Sequence, residues 1–161
     1  VIVGLHASRP QPFSASGFVP TKQLEALARY LEVDRAQGRP ILLVIHYPLL
    51  DRDGQVYDGS GHGLLNATSL IGVLEAAHRK PTVILHGHIH HGFHVQLKLS
   101  TTDIPIYNCG SSGYAYRPEE RRAAAMNVYE FDGPELLACN RYLYNGQTFV
   151  PEAGGAYATG R

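Results

Sequence analysis

The chain has 161 residues, room for one globular domain with a core and too little for two. Its 14 Lys and Arg balance its 14 Asp and Glu, which excludes a basic nucleic-acid footprint and an acidic tail. No apolar stretch is long enough to cross a bilayer, and the two isolated cysteines, Cys109 and Cys139, show no metal or redox spacing and are expected as reduced thiols packed in the core.

The chain opens on VIVGLHAS, a strand pattern that begins at Val1 without a Met. A native terminus rarely starts inside a strand, so an N-terminal portion is expected to lie outside this sequence, together with any targeting segment; the default compartment is the cytoplasm. A Pro- and Ser-rich loop leads to FVPTKQ. Thr21 is a candidate helix cap, and Leu24, Leu27, Ala28 and Leu31 recur at helical spacing, predicting a helix near 21–37 that ends at Gly38. PILLVIHYP follows, a continuous apolar run that predicts a strand near 41–46 covered on both faces and stopped by Pro48. A glycine-rich polar loop, DRDGQVYDGSGHG, precedes a second helix near 67–79, capped by Asn66 or Thr68 and carrying Leu70, Ile71, Val73, Leu74 and Ala77. PTVILHG predicts another buried strand near 82–87.

Beyond Gly92 the period changes to two. FHVQLKLS, IPIYNCGSSGY, MNVYEFD and ELLACNRYLY alternate, with turn signals at Asp132-Gly133-Pro134 and Asn145-Gly146. The expected fold is α/β: parallel strands with helices followed by an antiparallel β region, in a single domain over 1–161.

Histidine is the unusual entry in the composition. Six of the nine lie between His78 and His94, five of them in VILHGHIHHGFH directly behind a strand, so the cluster needs a chemical account. In open α/β sheets, sites gather at the carboxyl ends of strands. His46 closes one predicted strand, and His86 to His91 close another. Neutral imidazole is the commonest metal ligand and suits zinc, iron, nickel and copper. Residues two apart on an extended segment point to one side, which brings His88 and His90 together, and Gly87 is expected to supply the sharp turn before them. The plainer alternative is a set of surface turn histidines, less economical for a clustered Gly-His-x-His at a buried strand end than for a lone His. His86 is expected to point into the sheet or to support a ligand. His91 and His94 follow the motif as solvated turn residues or substrate contacts, and His62 is expected in a loop that either overhangs the site or is simply exposed. His78 suits a helix C-terminus and His6 a packing position. Asn108 and Gly110 to Gly113 suit either a phosphate nest or a tight turn.

Several segments, in this order, resemble those of the calcineurin-like metallophosphoesterases. VIVGLHAS is similar to that family's Gly-Leu-Asp-Ser strand, FVPTKQLEALARYL to the helix after it, and VIHYPLL to the strand ending in a metal-binding His and a Pro. LHGHIHHG matches its Gly-His-x-His signature, while YNCGSSGYAYR and MNVYEFD resemble its late Gly-Ser segment and closing strand. The resemblance implies part of an α/β/β/α sandwich and metal-dependent phosphoester hydrolysis. It makes His46 and His88 ligands of one divalent metal and His90 a ligand of a second (manganese, iron or zinc); His91 and His62, by their positions beside the motif and in the glycine-rich loop, are candidate substrate contacts. In the complete family site two ions clamp a phosphate while a bridging water attacks phosphorus. The family's Asp-x-His, Gly-Asp-x-x-Asp and Gly-Asn-His-Asp/Glu segments are missing here, and His6 stands where an Asp is frequent. The resemblance therefore implies no catalytic residue in this chain, at most one weakly bound metal, and inactivity in isolation. The expected partners are a phosphoester substrate of unidentified kind, and either an absent N-terminal half or a second copy joined through an exposed sheet edge. The alternative is a non-catalytic, truncated metal- or protein-binding module of the same fold.

Overall fold

In a computed structural model of the chain, residues 1–8, 14–33, 36–57 and 61–153 are described below. Part of the Pro- and Ser-rich loop, of the glycine-rich loop and of the C-terminus lies outside them. The elements run β1 (Ile2–Leu5), α1 (Thr21–Glu32), β2 (Leu42–Ile45), α2 (Ala67–Ala76), β3 (Val83–His86), β4 (Phe93–Lys98), β5 (Asp103–Asn108), a single 3-10 turn (Pro118–Glu120), β6 (Ala125–Asp132), β7 (Glu135–Tyr144) and β8 (Phe149–Pro151).

Two sheets result. The first has the order β1-β2-β3-β5-β4, and the second β6-β7-β8. β1, β2, β3 and β5 are mutually parallel, and β4 closes the edge antiparallel to β5. The region after Gly92 is thus not wholly an antiparallel unit, as the alternation suggested: β5 crosses back to pair with β3, and only β6 to β8 form a separate meander. Alternation reports that one face is buried and carries no information about which strand lies alongside.

The core lies between the first sheet and the two helices. α1 buries Leu24, Leu27 and Leu31, spaced along one stripe, and α2 buries Ala67, Leu70 and Leu74. They close over Leu43, Ile45, Ile84, Ile104 and Ile106. Each such side chain contributes roughly 1.5–3 kcal/mol through removal from water. The second sheet covers part of the opposite face: Tyr129 of β6 packs edge-on against Tyr107 of β5 at 5.6 Å, and Thr82 donates to the Pro134 carbonyl at 3.1 Å. Over β1 and β2 that face stays open, with Ile2 73% and Val44 36% exposed, so the strand edge and its apolar side chains meet solvent.

Three local expectations need correction. Helix α1 stops at Glu32, with Val33 already extended (φ −110°, ψ 135°), short of the predicted end at 37. The β-branched Val33 leaves the helix readily, and Gly38 serves a separate turn at φ 75°. Thr21 is the first helical residue rather than the cap; Pro20 holds that position and supplies no side-chain hydrogen bond. Asn66 occupies the N-cap position of α2, yet its side chain is spent elsewhere. Its Oδ1 accepts the Val19 N–H at 3.0 Å and its Nδ2 donates to the Val19 carbonyl at 2.8 Å, clamping the loop before α1 to the start of α2. Among the described residues no helix is long and apolar enough to cross a membrane.

Candidate metal site at the strand ends

The parallel register builds the site. Val44 of β2 lies opposite Leu85 of β3, so His46 falls opposite Gly87, whose N–H donates to the His46 carbonyl at 3.1 Å. One residue further on, the His88 ring comes beside that of His46. Nδ1 of His88 lies 3.2 Å from Nε2 of His46, with ring centroids 5.1 Å apart. On the other side of His88, Nε2 lies 3.4 Å from Nδ1 of His62. Three imidazoles therefore form a row, His46–His88–His62, drawn from two strand ends and the glycine-rich loop.

The sharp turn is made by His88 itself, at φ 65°, and not by Gly87, which stays outside the left-handed region. A Cβ added to Gly87 would meet the His46 ring at an ordinary 3.7 Å. Left-handed backbone costs a non-glycine residue roughly 1–2 kcal/mol, and such strain clusters where a side chain must be aimed. Tyr47 braces the row, with its ring centroid 4.7 Å from His88 and 5.0 Å from His46. Gly17 lies directly beneath Tyr47: a Cβ there would fall 2.0 Å from Cδ2 of the phenol ring.

Burial, and after it the neighbouring His46, His62 and His90, push the His88 ring below the ordinary histidine range. This favours the neutral imidazole, the form that ligates metals. In neutral His88 one ring nitrogen donates and the other accepts, which suits a row with a nitrogen neighbour at either end.

The other histidines divide. His90 meets the edge of Tyr114 at 5.5 Å, and its ring is not part of the row. His90, His91, His62 and His88 line one cleft of about 470 Å³ with Tyr57 and Tyr114. His86 is buried against Phe93, with Nδ1 3.1 Å from the Gly87 carbonyl and Nε2 without a hydrogen-bond partner among the described residues. Burial pushes its ring down to about 4. His94 stacks on Tyr107 at 4.4 Å, away from the row. His78 is exposed beyond α2, where its N–H donates to Glu32, and at the end of β1 the backbone of His6 is clamped by Gln23. Asn108 is fully buried, donating to the Gly87 and Ile89 carbonyls and accepting from Gly110 N–H, so it fixes the histidine turn from within.

Two imidazole nitrogens on one tetrahedral zinc ion, each about 2.1 Å from it, are about 3.4 Å apart. The 3.2 Å between His46 and His88 would suit two ligands of a single ion, with neither nitrogen then carrying a proton toward the other. The third ring does not complete that site, because His88 turns opposite nitrogens toward His46 and His62. Among the described residues, no three His, Cys, Asp or Glu side chains are arranged to hold one metal ion. A two-ion centre therefore does not fit these residues, and no reaction step is derived from one.

Sequence reasoning missed a group of arginines next to the cleft. Arg52, Arg121, Arg122 and Arg141 surround a second cavity that shares His90, His91 and Tyr114 with it. Their signal in the sequence is YAYRPEERR, where aromatic and basic residues interleave.

No family profile matches this chain. Nor does any curated protein. Among solved structures it is similar to the crystal structure of a Vps29 single mutant from Entamoeba histolytica, at 13% identity and a TM-score of 0.36, over 94% of this chain and 95% of that one. At that score the likeness decides neither fold nor function.

Proposed function

We propose that this chain supplies the histidine half of a metal-dependent phosphoester hydrolase site. One observation carries the reading: His46 and His88 leave adjacent parallel strands at their carboxyl ends and meet with ring nitrogens 3.2 Å apart. The pair would hold one divalent ion, manganese, iron or zinc, which would supply Lewis acidity toward a phosphoryl oxygen. His46 and His88 position it, Tyr47 packs against both rings, and the His62, His90 and His91 side chains face the cleft from which substrate approaches. His90 is the proposed ligand of a second ion, which calls for carboxylates beyond this group. Neutral imidazoles alone leave the charge of two dications uncompensated.

The test is hydrolysis of p-nitrophenyl phosphate and its bis ester in excess manganese. The chain alone is expected to be inactive, and a polypeptide that adds a carboxylate-bearing segment before Val1 is expected to turn over and to lose that activity on His88→Ala. Metal-dependent turnover by the chain alone, abolished by His88→Ala, would overturn the half-site reading.

A second reading has its own support. The open face over β1 and β2, with Ile2 and Val44 exposed, and the incomplete ligand set together suit a non-catalytic module that docks a second polypeptide along that edge. In that case the longer polypeptide also fails to turn over.

A further inference from the structure

Next to the histidine cleft, where the β6–β8 sheet meets the strand-end loops, lies a cavity of about 750 Å³. Small-molecule sites commonly enclose roughly 300–1,000 Å³. The chain as a whole is charge-balanced, yet four of its arginines line this one cavity against two carboxylates, Glu120 and Glu152. Both carboxylates are already engaged. Arg141 pairs with Glu152 at 2.7 Å, and Arg122 and Arg117 each pair with Glu120 at 2.9 Å. Arg52 and Arg121 are in no ion pair among the described residues, so the cavity keeps an excess of two guanidinium charges.

The floor is fixed. Arg141 is only 14% exposed at its side chain and donates Nε to the Cys109 carbonyl at 2.9 Å. Two glycines make room for it: a Cβ at Gly92 would sit 2.5 Å from its Cζ, and one at Gly110 3.2 Å from its Nη2. The walls are aromatic. Tyr114 is held between the edge-on ring of His90 and the Arg122 guanidinium, which lies 4.4 Å from its centroid. Tyr116, 43% exposed, stands edge-on to Tyr144 at 6.2 Å. A ligand that uses both features has a flat ring for the tyrosines and a doubly negative group for the free guanidiniums.

We propose that this cavity binds an aromatic phosphomonoester, its phosphate toward Arg52, Arg121 and the shared residues His90 and His91, and its ring against Tyr114 and Tyr116. As an assignment of substrate class it rests on the hydrolase reading; as a binding site it stands on the cavity alone. Guanidinium excess selects the dianion, and the tyrosines select an aryl ester over an alkyl one.

The experiment is calorimetric titration of the chain with phenylphosphonate in EDTA, in a mildly alkaline buffer that keeps this ligand a dianion, with methylphosphonate and benzyl alcohol as controls. Phenylphosphonate is expected to bind about tenfold or more tighter than either control. The double variant Arg52→Ala/Arg121→Ala is expected to lose about tenfold or more, with partial recovery when both are lysine. Both residues are exposed, and an unchanged circular dichroism spectrum checks the fold. His88→Ala, which removes the metal pair, is expected to leave this binding unchanged. Equal affinity for methylphosphonate or benzyl alcohol, indifference to the double variant, or loss on His88→Ala in EDTA would each overturn the proposal. Failure of the wild type to bind manganese, with its phenylphosphonate binding intact, would sink the hydrolase reading alone.

Discussion

His86 offers a direct reading of the forces at the end of β3. The residue is buried, with 7% of it exposed, and burial, the largest cause, lowers its pKa from 6.5 to about 4. The folded state thus holds the neutral ring, whereas the unfolded chain takes up a proton near the ordinary value. The stability that this difference contributes is fully present above about pH 6.5, falls as pH drops, and is exhausted below about pH 4. At 1.36 kcal/mol per unit the loss across that window is about 3 kcal/mol, a large share of the roughly 5–15 kcal/mol typical of a domain. Replacing His86 with Phe removes the titrating group and also the partnerless Nε2. Urea unfolding of both proteins in EDTA, followed by circular dichroism at pH 7 and pH 4, isolates the effect. Groups that do not couple to His86 cancel in the difference, and its coupling to His46 and His88 is smaller than the effect of burial. Relative to His86→Phe, the wild type is expected to lose about 3 kcal/mol more on going to pH 4. Whatever packing change Phe brings shifts both pH values alike. Parallel losses in the two proteins would refute a burial-depressed pKa at His86.

Two further substitutions probe the supports of the site. Gly17→Ala forces a methyl to within 2.0 Å of the present position of Tyr47, and overpacking of this kind costs roughly 1–3 kcal/mol. Because Tyr47 packs on both His46 and His88, the NMR signals of those two rings are expected to shift while those of His78 do not; unshifted rings would detach Tyr47 from the site. Asn66→Ala removes both hydrogen bonds to Val19 and strands its backbone groups, with an expected loss of roughly 1–3 kcal/mol in urea unfolding; a change within about 0.5 kcal/mol would show that water replaces the clamp.

The strands that carry the site were legible because β2 and β3 are short, continuously apolar and bounded by Pro or Gly, and their observed spans fall inside the predicted ones. Adjacency of His46 and His88 follows from parallel pairing through an intervening helix, a strongly constrained connection. What was not legible depends on tertiary neighbours. The Gly-His step suggested a turn at Gly87, but Asn108 in β5, two strands later in sequence and paired with His86, fixes the loop in which His88 takes the left-handed position. Asn66 carried a cap signature, and only the position of Val19 shows why its side chain serves a different purpose. His62 reaches His88 through a loop whose path has no periodic signal. The arginine cavity needs residues from five separate segments, none of which marks the others in sequence.

The central claim is that His46 and His88 form a one-ion pair. Manganese titration followed by electron paramagnetic resonance, on the wild type and on His46→Ala, His88→Ala and His90→Ala, tests it most directly. The account expects one bound ion per chain, lost in both the His46 and His88 variants and kept in the His90 variant. Two ions per chain, or binding that survives His88→Ala, would contradict it.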